Sequence, residues 1–204
     1  MNLMRYNMLD DIITLHGRFS RYPHPNGVAG VINLDDDEQA KVLVQPDLID
    51  SDLAGVLALG FSSQNIEWHR PEVVYSDVVH PKPFYVHEYS VLAIQSNQGL
   101  NHTVNLIHSL TKKYPSSFVI QRLDDGQDNI SWQALYSGMK SVLLLGATRK
   151  LTLRHKYNHY LKIDFMLKQG DLLVFAGKLD ELWEISAPVQ RDADGATFLL
   201  NFSY

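Results

Sequence analysis

Cysteine is absent from this 204-residue chain. That excludes disulfides, thiolate metal centres and a cysteine nucleophile, while leaving the redox compartment open. Long apolar runs are absent as well, and no stretch approaches the length of a membrane span. Residues 1–11 lack the basic-then-apolar order of a secretory signal, so a cytoplasmic location without a membrane partner is expected. There is no Gly-Lys-Ser/Thr phosphate loop, no Gly-x-Ser-x-Gly elbow and no His-Glu-x-x-His helix. None of the nine histidines is followed two residues later by Asp or Glu. Internal repeats and low-complexity segments are missing too.

What remains is an ordinary globular composition, 45% apolar and 20% charged, in a chain long enough for one domain to bury a substantial core. The net charge of −5 argues against a strong nonspecific nucleic-acid binder. That average conceals an asymmetry. Residues 101–170 hold ten Lys/Arg against four Asp/Glu, whereas the rest of the chain holds eight against nineteen. A basic segment of this kind is either an anion-binding face or a set of solvated strand-edge lysines.

The N-terminal part reads as mixed structure. Residues 7–16 predict a short amphipathic helix capped by Asn7 and stopped by Gly17, followed by a Pro-rich turn at 22–27. Residues 28–34 and 40–45 predict two strands joined by the acidic turn 35–38, whose spacing suits a solvated turn better than a Ca²⁺ loop. A helix over about 52–60, capped by Asp50 or Ser51, would bury Leu53, Val56, Leu57 and Leu59. Helical spacing of Val86, Tyr89, Leu92 and Ala93 predicts another over about 84–96. From Ser117 onward the pattern is β: runs at 117–123, 140–145, 150–156, 160–167, 171–176 and 197–202 are separated by Gly, Asp and Asn. Such spacing argues for a sandwich or barrel with the helices packed on one sheet.

Three stretches of this β region carry more. They are Asp125-Gly126-x-Asp128-x-Ile130-x-Trp132, the run from Ser141 to Lys156 with Gly146-Ala147-x-Arg149 and Arg154-His155-Lys156, and Gly170-Asp171-Leu172-Leu173 continuing to Trp183-Glu184-Ile185-Ser186-Ala187-Pro188. In order and spacing they resemble the AlkB-like family of 2-oxoglutarate and Fe(II)-dependent dioxygenases, which repair alkylated nucleic acid bases. Weaker echoes lie at 44–49, 75–76 and 81–84. The resemblance covers about residues 42–204, leaving 1–41 as an N-terminal extension of helix and hairpin. It implies an α+β fold with a double-stranded β-helix (jelly-roll) core and the N-terminal helices packed on one sheet.

The departures from the family pattern fall on its chemistry. The resemblance puts the family's His-x-Asp at Gln133 and Leu135, and its second His at Ile185. Non-haem iron needs two imidazoles and a carboxylate on one face, whereas Gln133 offers one neutral oxygen and the other two offer nothing. The cosubstrate positions map to Gln121, Leu123, Thr197 and Ser203, with no arginine fork for a dicarboxylate. No catalytic residue, metal or cofactor is therefore expected.

The residues expected to act are Arg149, Lys150, Arg154, His155 and Lys156, which would meet phosphates. Trp132, Tyr136 and Trp183 would either stack on a base or plug the vacated cavity. His155 and His159 would lie roughly 13 Å apart along a strand, too far to share a metal. The leading expectation is a pseudoenzyme that binds nucleic acid or another protein through the former substrate face. One rival is an active alkylated-nucleic-acid demethylase with unconventional ligands, such as histidines around His80, His87 and His69. Another is a structural scaffold subunit.

Overall fold

The computed structural model describes residues 30–34, 40–63, 66–135 and 140–204. The expected helix at 7–16, the turns at 22–27 and 35–38, and Tyr136 lie outside the described residues. In chain order the elements are β1 (Gly30–Asn33), β2 (Ala40–Gln45), α1 (Ser51–Ser62), β3 (Glu72–Tyr75), β4 (Val78–Pro81), β5 (Tyr85–Tyr89), α2 (Val91–Ser96) and α3 (Gln98–Thr111). Then follow β6 (Ser117–Leu123), β7 (Ile130–Ala134), β8 (Lys140–Gly146), β9 (Arg149–His155), β10 (Lys162–Leu167), β11 (Leu172–Gly177), α4 (Leu179–Leu182), β12 (Trp183–Ala187) and β13 (Thr197–Ser203). No helix among the described residues is long and apolar enough to cross a membrane.

Among the described residues, eleven strands form two facing antiparallel sheets. The larger has the order β1-β2-β11-β8-β13-β6-β5 and the smaller β10-β9-β12-β7, while β3 and β4 make a separate hairpin. This is the jelly-roll sandwich the sequence implied. The larger sheet joins strands from both ends of the described chain, whereas the smaller draws only on residues 130–187. One apolar cluster packs between the sheets, with Leu144, Leu153, Leu167, Leu173 and Trp183 among its members. A second lies between the larger sheet and the helices, built around Phe61, Leu100, Ile107, Phe118, Phe198 and Phe202.

The helix α1 starts where its cap was expected: the Asp50 carboxylate accepts from the Leu53 amide at 2.8 Å. Its buried side chains are Ala54, Leu57 and Phe61, whereas Val56 and Leu59 are exposed. Those two point away from the sheet because the buried stripe follows i, i+3/i+4, i+7 from Ala54.

The expected helix over 84–96 is corrected. Residues 85–89 are strand β5, paired with β6 from Tyr85↔Arg122 to Tyr89↔Phe118. Phe84 and Val86 are buried and alternate with less buried neighbours, which is the period of a strand. Only Val91–Ser96 is helical. The long helix of this region is α3, capped by Asn97, whose side chain accepts from the Leu100 amide at 3.0 Å. Its inner stripe includes Thr103 and Thr111, both hydroxyl-bonded to the carbonyl four residues back, which masks the stripe in a plain apolar count. The β3–β4 hairpin was also missed.

Candidate functional site

Between the sheets lies a cavity of about 300 Å³. Register fixes what its larger-sheet wall presents, because alternate residues of a strand face the same side. Lys140 of β8 stands between Phe175 of β11 and Ser203 of β13. The next inward rows hold Val142, Asn201 and Val119, then Leu199, Gln121 and Val86. The Asn201 amide donates to the Gln121 side-chain oxygen at 3.2 Å, tying β13 to β6. Opposite, the smaller sheet contributes Gln133, Leu151 and Ile185, with Leu135 just past the end of β7.

The three positions assigned to iron by the resemblance therefore meet on one wall. Gln133 and Ile185 are cross-strand partners, and Leu135 follows two residues on. Leu135 and Ile185 are buried. Of the cosubstrate positions, Gln121 and Ser203 also line the cavity. Leu123 and Thr197 are fully buried, and the Thr197 hydroxyl donates to the Ala147 carbonyl at 3.1 Å.

This donor set does not fit iron. Among the described residues, the lining contains no Asp, Glu or His, and its charged members are Lys82 and Lys140. A divalent cation there would face cations without a compensating anion. Elsewhere among the described residues, no group of three or more His, Asp or Glu could hold a metal. His87 lies 2.9 Å from the Glu67 carbonyl through Nδ1 and edge-on to Trp68 and Tyr89. His69 sits in a backbone bridge with Val86.

The retained approach to this wall has a structural task that needs no metal. Arg149 is fully buried, and its guanidinium donates to the Asp125 carbonyl at 3.0 Å and to the Asp128 carbonyl. Burial lowers its pKa, opposed by the carboxylates of Asp128 and Asp125. Asp125 accepts from the Gln127 and Asp128 amides, and Asp128 from the Asp124 amide, so the loop is closed on itself. Gly126 lies so close to the Gln190 carbonyl that a Cβ would overlap it. Gln190 in turn donates its amide to Gly126 and accepts from the Lys150 amide. These contacts fix the start of β7 and hence the register of Trp132, Gln133 and Leu135.

On its outer face the smaller sheet presents different chemistry. Arg154 lies 4.1 Å from the Trp132 ring centre, with Lys162 at 5.9 Å from the same ring. Arg154 also pairs with Glu184 through two contacts of 2.8 Å, and Lys150 approaches Asp164 at 3.5 Å. Lys156 donates to the Asp180 carbonyl, while His155 accepts from the Tyr157 and Asn158 amides. Thus Trp132, Lys150 and Arg154 share this side, with Lys156 just past the end of β9, whereas His155 faces the side of its register partner Trp183. Arg149 and Trp183 do not, because both are buried; Trp183 is a core residue edge-on to His155.

Sequence reasoning passed over four residues. Tyr157 and Tyr160, 81% and 98% exposed, crown the turn after β9. Lys82 and Lys140 line the cavity. A turn carrying two tyrosines between basic residues was a visible signal for the first pair. The lysines carried none, since only strand register turns Lys140 inward.

In sequence, neither a family model nor a curated protein matches this chain. In structure the chain is similar to solved proteins, one of which is an oxidoreductase of the 2OG-Fe(II) oxygenase family from Burkholderia pseudomallei. It is 13% identical over 79% of this chain and 84% of that one, with a TM-score of 0.53. Likeness at that identity establishes the jelly-roll fold and leaves the chemistry to the residues.

Proposed function

We propose that this chain is an AlkB-like protein over about residues 42–204, with 1–41 as an extension, and that it acts by binding rather than by oxygenation. The observation that carries this reading is the cavity wall of Gln133, Leu135 and Ile185, which among the described residues is lined without any carboxylate or imidazole. Two neutral apolar side chains and one amide cannot replace a facial triad. Protein purified without chelator should hold iron far below stoichiometry and should produce no succinate from 2-oxoglutarate. Stoichiometric iron with turnover would overturn this.

Single-stranded nucleic acid is the partner this reading favours. Support comes from the turn between β9 and β10, where Tyr157, His159 and Tyr160 are exposed, and from exposed Lys162, whose ammonium lies 5.9 Å from the Trp132 ring centre. Aromatic faces interleaved with cations suit unpaired bases and their phosphates. The ion pairs of Arg154 and Lys150 reduce the free charge, so binding should be weak, with a shallow salt dependence. If about two phosphates are neutralised, the log–log slope would be about −1.4. Retention of a labelled single-stranded oligonucleotide should fall when Lys162 and Lys156 are both changed to Glu. Unchanged retention would move the interface elsewhere, and no retention by the wild type would favour a protein partner.

A further inference from the structure

We infer that this chain self-associates through the free edge of β10, which pairs antiparallel with β10 of a second copy in one register, centred on Ile163. The interface does not depend on what the outer face binds.

Among the described residues, the two main sheets end in the edge strands β1, β5, β10 and β7. The β5 edge is partly closed, because His69 and Val86 exchange backbone hydrogen bonds of 3.1 and 2.8 Å. β1 and β7 are short, with four and five residues. Native edges are commonly blunted by shortness, by proline or by a bulge. β10 has none of these. Its six residues run without proline in unbroken register with β9, from Lys162↔Arg154 to Leu167↔Arg149.

The parity of that pairing decides which backbone groups are left over. The His155 amide donates to the Leu161 carbonyl at 3.0 Å, so residues 161, 163 and 165 turn their backbone groups toward β9. Lys162, Asp164 and Met166 turn theirs the other way, where no described strand lies. The same three residues carry the exposed side chains of the strand, alternating with buried ones. A row of open amides and carbonyls of this kind is a template for another strand.

Charge selects the partner and the register. Two-fold pairing about Ile163 sets Lys162 of each copy opposite Asp164 of the other. Pairing about Lys162 or about Asp164 would set each charge against its own kind, and pairing about Phe165 would set Lys162 against Lys168. Like charges directly opposite are destabilising. The edge is thus self-complementary in one register. The Asp164 carboxylate accepts from Thr152 at 2.7 Å and lies 3.5 Å from Lys150, which leaves lone pairs for a further donor. At either end Met166, 42% exposed, meets the turn at Tyr160 of the second copy, a sulfur–aromatic contact. The four-stranded sheets of the two copies then become one continuous sheet with both outer faces on the same side.

The test is sedimentation velocity of the full chain over a concentration series. Wild type should pass from monomer to dimer with a Kd of about 1–100 µM, the range of a small, partly polar interface. Lys162→Asp and Asp164→Lys should each weaken this about tenfold or more, because like charges then face each other twice. An equimolar mixture of those two variants should associate again, since its opposed pairs regain opposite charge. The chain has no cysteine, so single cysteines report proximity. Ile163→Cys should give a disulfide dimer on oxidation, its Cα lying about 4.5 Å from that of its own counterpart. Met166→Cys, roughly 20 Å from its counterpart, should not. Thermal melting checks that each variant is folded. Asp164→Lys also separates this inference from nucleic-acid binding, since it should reduce self-association without lowering oligonucleotide retention. A wild type that stays monomeric across the series, or a dimer indifferent to both charge variants, would overturn the proposal. So would a mixture that fails to associate, or Met166→Cys cross-linking as readily as Ile163→Cys.

Discussion

The two sides of the smaller sheet are made from the same strands but treat charge in opposite ways. Outward, Arg154 meets Glu184 and Lys150 meets Asp164, so the cations are matched by acids on neighbouring strands. Inward, Gln133 and Ile185 are neutral, and among the described residues the cavity they close is lined by two lysines and no acid. The alternation of a strand is what permits this, since neighbouring residues answer to different environments. One side of a sheet can change its chemistry while the other keeps its own. The lesson is that charge count along the sequence is a poor guide here, and charge pairing across strands a good one.

The strongest way to break that comparison is to remove what keeps the sides apart. Replacing Arg149 with Met should cost about 3–5 kcal/mol, because the buried cation's carbonyl partners would lose their donors. A denaturant midpoint unchanged by this substitution would mean that the 124–129 loop is held otherwise. Next come the inner apolar residues. Leu135→Ala and Ile185→Ala should each cost about 2 kcal/mol, near the low end for such truncations, since both already border open space. Costs near 5 kcal/mol would indicate that the cavity is packed in solution.

The pH response follows from Lys140. Its pKa is lowered in the fold, so its charge is lost at a pH below that of an exposed lysine. The same shift makes the folded state bind fewer protons than the unfolded chain between the two pKa values. Stability from this group should accordingly rise with pH across that window. A comparison of wild type with Lys140→Met by denaturation at several alkaline pH values checks the sign.

Outward effects should be smaller. A double-mutant cycle on Arg154 and Glu184 should give a coupling of about 1 kcal/mol, since the pair is only partly buried. Tyr157→Ala and Tyr160→Ala should shift stability by no more than about 0.5 kcal/mol. If they also leave oligonucleotide retention intact, the outer face loses its main support as a stacking surface.

Much of the β framework was legible because its strands are local in pattern. The runs at 117–123, 140–145, 171–176 and 197–202 appear within a residue or so as β6, β8, β11 and β13. The failures have physical causes. Val86 and Tyr89 on β5 were joined to Leu92 and Ala93 beyond Ser90, which produced a helical spacing across two elements. The helix α3 was overlooked because buried threonines complete its stripe. At the site, Gln133, Leu135 and Ile185 were placed by likeness, and the structure puts them on one cavity wall. Lys140 was invisible because its role depends on β8 lying between β11 and β13, a pairing no local pattern encodes.

Asp180 touches both sides of the comparison. Its backbone carbonyl accepts from Lys156 of the outer side, and its carboxylate acts on Lys140 of the cavity. The short helix α4 is thus a shared boundary, and thermodynamic reciprocity sets the terms of any traffic across it. Whatever factor an occupant of the cavity imposes on affinity at the outer face, an occupant of that face must return to the cavity.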